Sequence, residues 1–256
     1  MADFDRSTLT ARAGTAAAID EGLRSYMLKV YNYMGIGLVV TGLVAYFGNA
    51  LAVTTNAEAA AAQLANGEYL TQWGVLLYTT PLMWVVALAP FGFVLALSFG
   101  INRMSAATAQ LVFWAFAAVM GLSLSSIFMV YTDASIAKVF FITAATFGAM
   151  SLWGYTTKRD LTGMGSFLFM GLIGLIIAMV VNIFLQSSML EFAISAIGVL
   201  IFVGLTAYDT QKIKESYSVS HGAEVLAKGA IMGALSLYLD FINLFMMLLR
   251  LFGNRE

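Results

Sequence analysis

Apolar residues run along this chain in seven stretches, each long enough to cross a bilayer as a helix and each ended by a polar or charged cluster. A spanning helix needs about 20 predominantly apolar residues. The stretches lie at about Tyr26–Gly48, Gly74–Ile101, Ala106–Tyr131, Ala134–Thr157, Ser166–Leu185, Leu190–Lys212 and Lys228–Phe252. Pro81 and Pro90 fall inside the second and predict a kink there. Connections are short except for the one after the first stretch, which is rich in Ala, Thr and Asn and carries only Glu58 and Glu68 as charges.

This pattern predicts an all-α integral membrane protein: a cytoplasmic tail over residues 1–25 and a seven-helix transmembrane domain over 26–256. Composition agrees, since 61% of the chain is hydrophobic and 11% charged, against about 25% charged in soluble domains. The first 26 residues mix both charge signs and lack the basic-then-apolar order of a cleaved signal. Basic residues are retained on the cytoplasmic side. With the N-terminus inside, Arg6, Arg12, Arg24, Lys29, Arg103, Lys158, Arg159, Lys212, Lys214 and Lys228 fall there, and only Lys138, Arg250 and Arg255 fall opposite.

Charge and composition also exclude functions. Thirteen Lys and Arg against 14 Asp and Glu leave no basic field for a nucleic-acid backbone. The chain has no cysteine and a single histidine, His221, which removes thiolate chemistry and histidine-rich metal clusters. Chemistry is left to carboxylates.

An ionisable residue in a spanning helix costs roughly 2.5–3.5 kcal/mol on insertion scales and asks for a reason. Asp209 lies less than one turn before Lys212, and Asp240 lies far from charge in either direction along its helix. Gly229, Gly233, Ser236, Asp240 and Asn243 recur at intervals of three and four, a small and polar stripe that should face other helices. If it meets the face carrying Ser195, Gly198, Thr206 and Asp209, the two carboxylates approach each other, and a low-dielectric site then favours one shared proton. Such a pair is a pH sensor and, ionised, an oxygen-ligand site suited to Ca²⁺, with Asn243, Ser236 and Thr206 as supporting polar groups. Arg103, at the end of the second span, is a candidate latch to a carboxylate and equally a topology anchor. Asn182, Glu191 and Ser123, Ser125 and Ser126 read as packing residues.

The segments AYDTQKIK and LSLYLDFINLFMMLLRLFG resemble the transmembrane Bax inhibitor motif (Bax inhibitor-1) family. VYNYMGIGLVVTGLVAY and GLSLSSIFMVYTDASIAKVFFITAATFGAMSLWGYTTKRDL are similar to its bacterial, YccA/YbhL-like branch of inner-membrane proteins. The resemblance covers nearly everything after Arg24. It implies a seventh helix central to the bundle and a pH-sensitive calcium leak governed by paired aspartates matching Asp209 and Asp240. It also implies an arginine, here Arg103, able to pair with a pore carboxylate.

The expectation is therefore a non-enzymatic leak channel of the inner membrane, with Ca²⁺ as permeant or bound ion and no tightly bound cofactor. Its flux should change between about pH 6 and 8. The alternative is an interaction protein that modulates a membrane-bound quality-control protease or a stress response. An intramembrane aspartyl protease would need glycines beside its second aspartate, where Tyr238 stands instead. A retinal pump would need a lysine in mid-membrane on the last helix, where Asp240 stands.

Overall fold

The computed structural model describes residues 2–63, 67 and 69–255, with the backbone alone described at 2–19 and 59. The side chains of Arg6 and Arg12, and all of Glu68, lie outside the described residues. Among the described residues eight α-helices follow in order: α1 (Ala2–Ala52), α2 (Gln72–Thr79), α3 (Leu82–Gly100), α4 (Ala106–Leu124), α5 (Asp133–Thr156), α6 (Thr162–Leu185), α7 (Ser188–Glu215) and α8 (Ala223–Phe252). All but α2 are long and apolar enough to span a bilayer, α1 doing so over Asp20–Ala52. The protein is an all-α membrane protein with seven transmembrane helices.

Three local features depart from the apolar pattern. The N-terminal tail is helical, continuous with the first span. The second apolar stretch is two helices, because the residue before a proline is driven out of the α region: Thr80 is extended, at φ −98° and ψ 169°, ahead of Pro81. Pro90, by contrast, is carried inside α3. The long connection after α1 holds a small antiparallel sheet, β1 (Val53–Thr54), β2 (Ala62–Gln63) and β3 (Tyr69–Leu70), in the order β1-β3-β2. A sheet of two-residue strands leaves too little alternation to read from sequence.

The starts of α4, α5 and α7 are set by hydroxyl caps. Ser105 accepts from Thr108 N at 3.1 Å, Thr132 from Ser135 N at 3.3 Å and Ser187 from Leu190 N at 3.3 Å. Each satisfies an orphan N–H that hydrocarbon could not. Within the spans, Thr143, Ser195, Thr206 and Thr210 donate to carbonyls one turn earlier, which lets a hydroxyl be buried without a partner helix.

Burial is unequal. Along their most apolar stretches, 72% of α8 is buried but only 11% of α3 and of α6. α8 packs against α1, α4, α5 and α7. The Tyr238 ring, fully buried, meets Phe113 and Phe116 of α4 edge-on at 6.1 and 5.1 Å between centroids. Its hydroxyl bonds Thr41 Oγ1 of α1 at 2.6 Å, and Thr41 donates to Ala117 O of α4 at 2.8 Å.

A candidate carboxylate site between the last two spans

Small residues bring α7 against its neighbours. A methyl group at Gly154 of α5 would run into the Ala207 carbonyl, so the two backbones touch just before Asp209. Gly198 of α7 takes Met247 of α8, and Gly233 of α8 takes Ile213 of α7. Van der Waals contact at small residues is what drives helix association in lipid.

This packing brings the Asp209 and Asp240 carboxyl groups within hydrogen-bonding reach of each other. Asp240 is 5% exposed, and its Oδ2 receives no hydrogen bond from an N–H or O–H among the described residues. Asp209 is half-buried. Lys212, one turn further on, is exposed with its ammonium 5.8 Å from the centre of the Tyr208 ring, and its charge acts on Asp209. Two carboxyls can hydrogen-bond only when one of them carries a proton.

The other expected site residues lie elsewhere. Thr206 is fully buried and donates to Phe202 O at 2.7 Å. Asn243 donates to Leu239 O at 2.8 Å and lines a separate cavity of about 380 Å³ between α3, α4 and α8. Both are satisfied by their own helix. Ser236 is half-buried one turn before Asp240. The stripe on α8 is divided among neighbours, since a methyl group at Gly229 would press on the Tyr26 hydroxyl of α1 whereas one at Gly233 would press on Ile213 of α7.

Arg103 is not brought to the carboxylates. It is exposed in the turn after α3, closed by Arg103 N to Gly100 O at 2.9 Å, and makes no ion pair among the described residues. Its helix packs chiefly on α4 and α2, whereas Asp209 sits on α7 among α5, α6 and α8.

Two residues beside Asp209 do structural work that attention to ionisable groups passed over. Thr210 Oγ1 bonds Ser151 Oγ at 2.8 Å, and Ser151 bonds Tyr31 OH at 2.6 Å, a hydroxyl chain from α7 through α5 to α1. Gln211 accepts from Leu161 N and donates to Arg159 O, both at 2.8 Å, and so ties the α5–α6 connection to α7. The signal was present in the sequence, where Asp209, Thr210 and Gln211 are three polar residues in a row on a spanning helix. Asn182 and Glu191 also have defined partners: Asn182 Oδ1 accepts from Ser187 N at 3.1 Å, and Glu191 pairs with Arg255 at 3.1 Å.

These features define a class, a polytopic helical membrane protein with a carboxyl pair between its last two spans. The family described as "Inhibitor of apoptosis-promoting Bax1" matches residues 23–256, and the chain belongs to that family. It is 47% identical over 256 residues to protein RP147 of Rickettsia prowazekii, covering all of both chains. It is also 47% identical over 238 residues to the inner membrane protein YbhL of Escherichia coli K12, covering 92% of this chain and 94% of that one. A protein of Deinococcus radiodurans is 38% identical over 91% of this chain and 92% of its own length.

Proposed function

We infer that the chain is a non-enzymatic, pH-sensitive leak pathway for cations, with Ca²⁺ as the natural permeant ion, governed by the proton held between Asp209 and Asp240. The meeting of these two carboxyls inside the bundle carries the reading. When the shared proton leaves, two negative charges face each other in a low-dielectric site. Either a cation enters between them or the helices carrying them separate, and both couple proton loss to permeation.

The residues fit Ca²⁺ in transit better than Ca²⁺ in residence. The ion takes six to eight oxygen ligands, and among the described residues no cluster of three or more acidic or histidine side chains forms. Two carboxylates would be completed by water and backbone carbonyls, an arrangement that releases its ion readily. No tightly bound cofactor enters this reading.

The setting follows the basic residues, with the N-terminus cytoplasmic in the inner membrane where the YbhL relative is named. A periplasmic reporter fused after Gln63 should then be active and one fused after Lys158 silent; the reverse overturns the orientation.

Ca²⁺ flux into proteoliposomes, measured against pH, tests the function. Wild type should change its flux around neutrality. Asp209→Asn and Asp240→Asn should each abolish the response, with the double variant adding little because the two act as one unit. Arg103→Ala should leave the response in place, as its exposed position implies; a shifted response would show that Arg103 reaches the pair in another conformation. Single variants with wild-type pH-dependent flux would sink the paired-carboxyl mechanism. The alternative, an interaction protein acting on a membrane protease or stress response, would then lead.

A further inference from the structure

A groove of about 530 Å³ runs between α1 and α5, and neither Asp209 nor Asp240 lines it. Its walls include Leu28, Met34, Phe147 and Leu152, and Arg24 stands at one end. Two lining positions are glycine, Gly35 and Gly148, and a Cβ built at either would meet no atom within 4 Å. Close helix packing therefore does not account for them, and their effect is to leave the groove deep. The hydroxyls on its wall, Tyr31 and Ser151, bond to each other at 2.6 Å and offer little to a polar ligand.

The volume lies within the range of small-molecule sites, about 300–1,000 Å³. Leu28 and Leu152 are 52% and 63% exposed on spanning helices, so the groove opens toward the bilayer and fills from it. Charge identifies the rest of the occupant. Arg24 is exposed and makes no ion pair among the described residues, with Glu21, one turn earlier, unpaired to it as well. Lys214 lies at the same end, its ammonium donating to Tyr155 O at 2.8 Å and 5.5 Å from the centre of that ring, and Tyr155 lines the groove. A cationic mouth on an apolar trough matches an anionic head on a hydrocarbon chain, and guanidinium binds phosphate with paired hydrogen bonds.

We propose that the α1–α5 groove is a binding site for one anionic phospholipid from the leaflet on the N-terminal side, its phosphate on Arg24 and an acyl chain over Gly35 and Gly148. The site is independent of the leak reading, because it is defined by lipid retention and not by flux. It still touches the carboxyl helix, since Ser151 on its wall bonds Thr210 at 2.8 Å.

Native mass spectrometry of the full chain in detergent, offered dioleoylphosphatidylglycerol and dioleoylphosphatidylcholine at equal concentration, tests it. Wild type should retain the anionic lipid about tenfold over the zwitterionic one, because both offer a phosphate to Arg24 but the choline of the second adds a positive charge beside Arg24 and Lys214. Arg24→Gln should bring the ratio near one. Gly148→Leu, whose Cβ meets no atom and whose side chain occupies the trough, should reduce both adducts at least about tenfold, while Gly174→Leu, on a glycine of α6 with a Cβ position equally open, should not. Gly35→Leu makes the same test from the opposite wall if Gly148→Leu fails to fold. Equal retention of the two lipids by wild type, full retention by the groove-filling variants, or a dimer mass without lipid adducts would each overturn the proposal.

Discussion

Glu191 and Asp240 are both carboxylates on the last two spans, and the protein treats them in opposite ways. Glu191, at the start of α7, keeps 40% of its side chain exposed and pairs with Arg255 at 3.1 Å, with the guanidinium 5.9 Å from the centre of the Tyr131 ring. The same C-terminal residues are held by backbone bonding, with Thr132 N donating to Asn254 O at 3.2 Å and Asn254 N to Ser135 Oγ at 2.9 Å. Asp240 is buried, faces another carboxyl and leaves Oδ2 without a protein donor among the described residues. The first arrangement tolerates loss of either partner because water can replace it. The second is costly wherever no proton or cation intervenes, and a protein keeps such a cost where it has a use for it.

The largest expected effect tests that cost directly. Asp240→Leu replaces a buried carboxyl by an apolar side chain of the same branching and should raise thermal stability in detergent by about 1–3 kcal/mol while abolishing pH-dependent flux. A loss of stability would show that Asp240 is a structural hydrogen-bonding residue, and the contrast with Glu191 would fail.

A smaller effect is expected on the hydroxyl chain beside the pair. Ser151→Ala leaves Tyr31 and Thr210 without their shared partner and should cost about 1–2 kcal/mol. Unfolding of purified protein followed by tryptophan fluorescence measures it. No change would mean that each hydroxyl finds another acceptor.

At the opposite end of the molecule, Arg255→Ala should cost no more than about 1 kcal/mol, and the difference should shrink with added salt. A loss as large as that of Ser151→Ala would make the C-terminal tie equal in weight to the buried chain.

The smallest effect concerns Asp160, which ends the α5–α6 connection outside the spans. Its carboxyl is held below the ordinary 3.8 by hydrogen bonds from the Thr162 hydroxyl and N–H, the latter at 2.8 Å. A depressed value stabilises above the unfolded pKa and is lost as pH falls through the folded one. The difference between wild type and Asp160→Ala should thus be full near pH 7, begin to shrink at about pH 4 and vanish only below the depressed folded value. A difference that persists in acid would assign the role to the side chain's shape.

Helix number and approximate bounds were legible because the bilayer imposes one rule along the whole chain, about 20 apolar residues per crossing. The break at Pro81 was half legible. Proline in an apolar run announces a disturbance, but a kink and an interruption share that signal, and Pro90 in the same run interrupts nothing.

Asp209 and Asp240 stood out in the sequence for the same reason that the spans did, since charge is expensive in hydrocarbon. Their partners did not. Asn243 and Thr206 share the right periodicity with them but bond their own helices, because a polar side chain in a span can always be satisfied one turn back.

Sequence by itself thus determined which segments lie in the membrane and which two carboxylates need an explanation, because transfer from water to hydrocarbon acts on each residue locally. Only the tertiary structure decided that these carboxyls meet, that Arg103 stays away and that a groove opens between α1 and α5. Those outcomes depend on which helix faces touch, and the small residues that set the contacts, Gly154 against Ala207 and Gly198 against Met247, do not announce their partners along the chain.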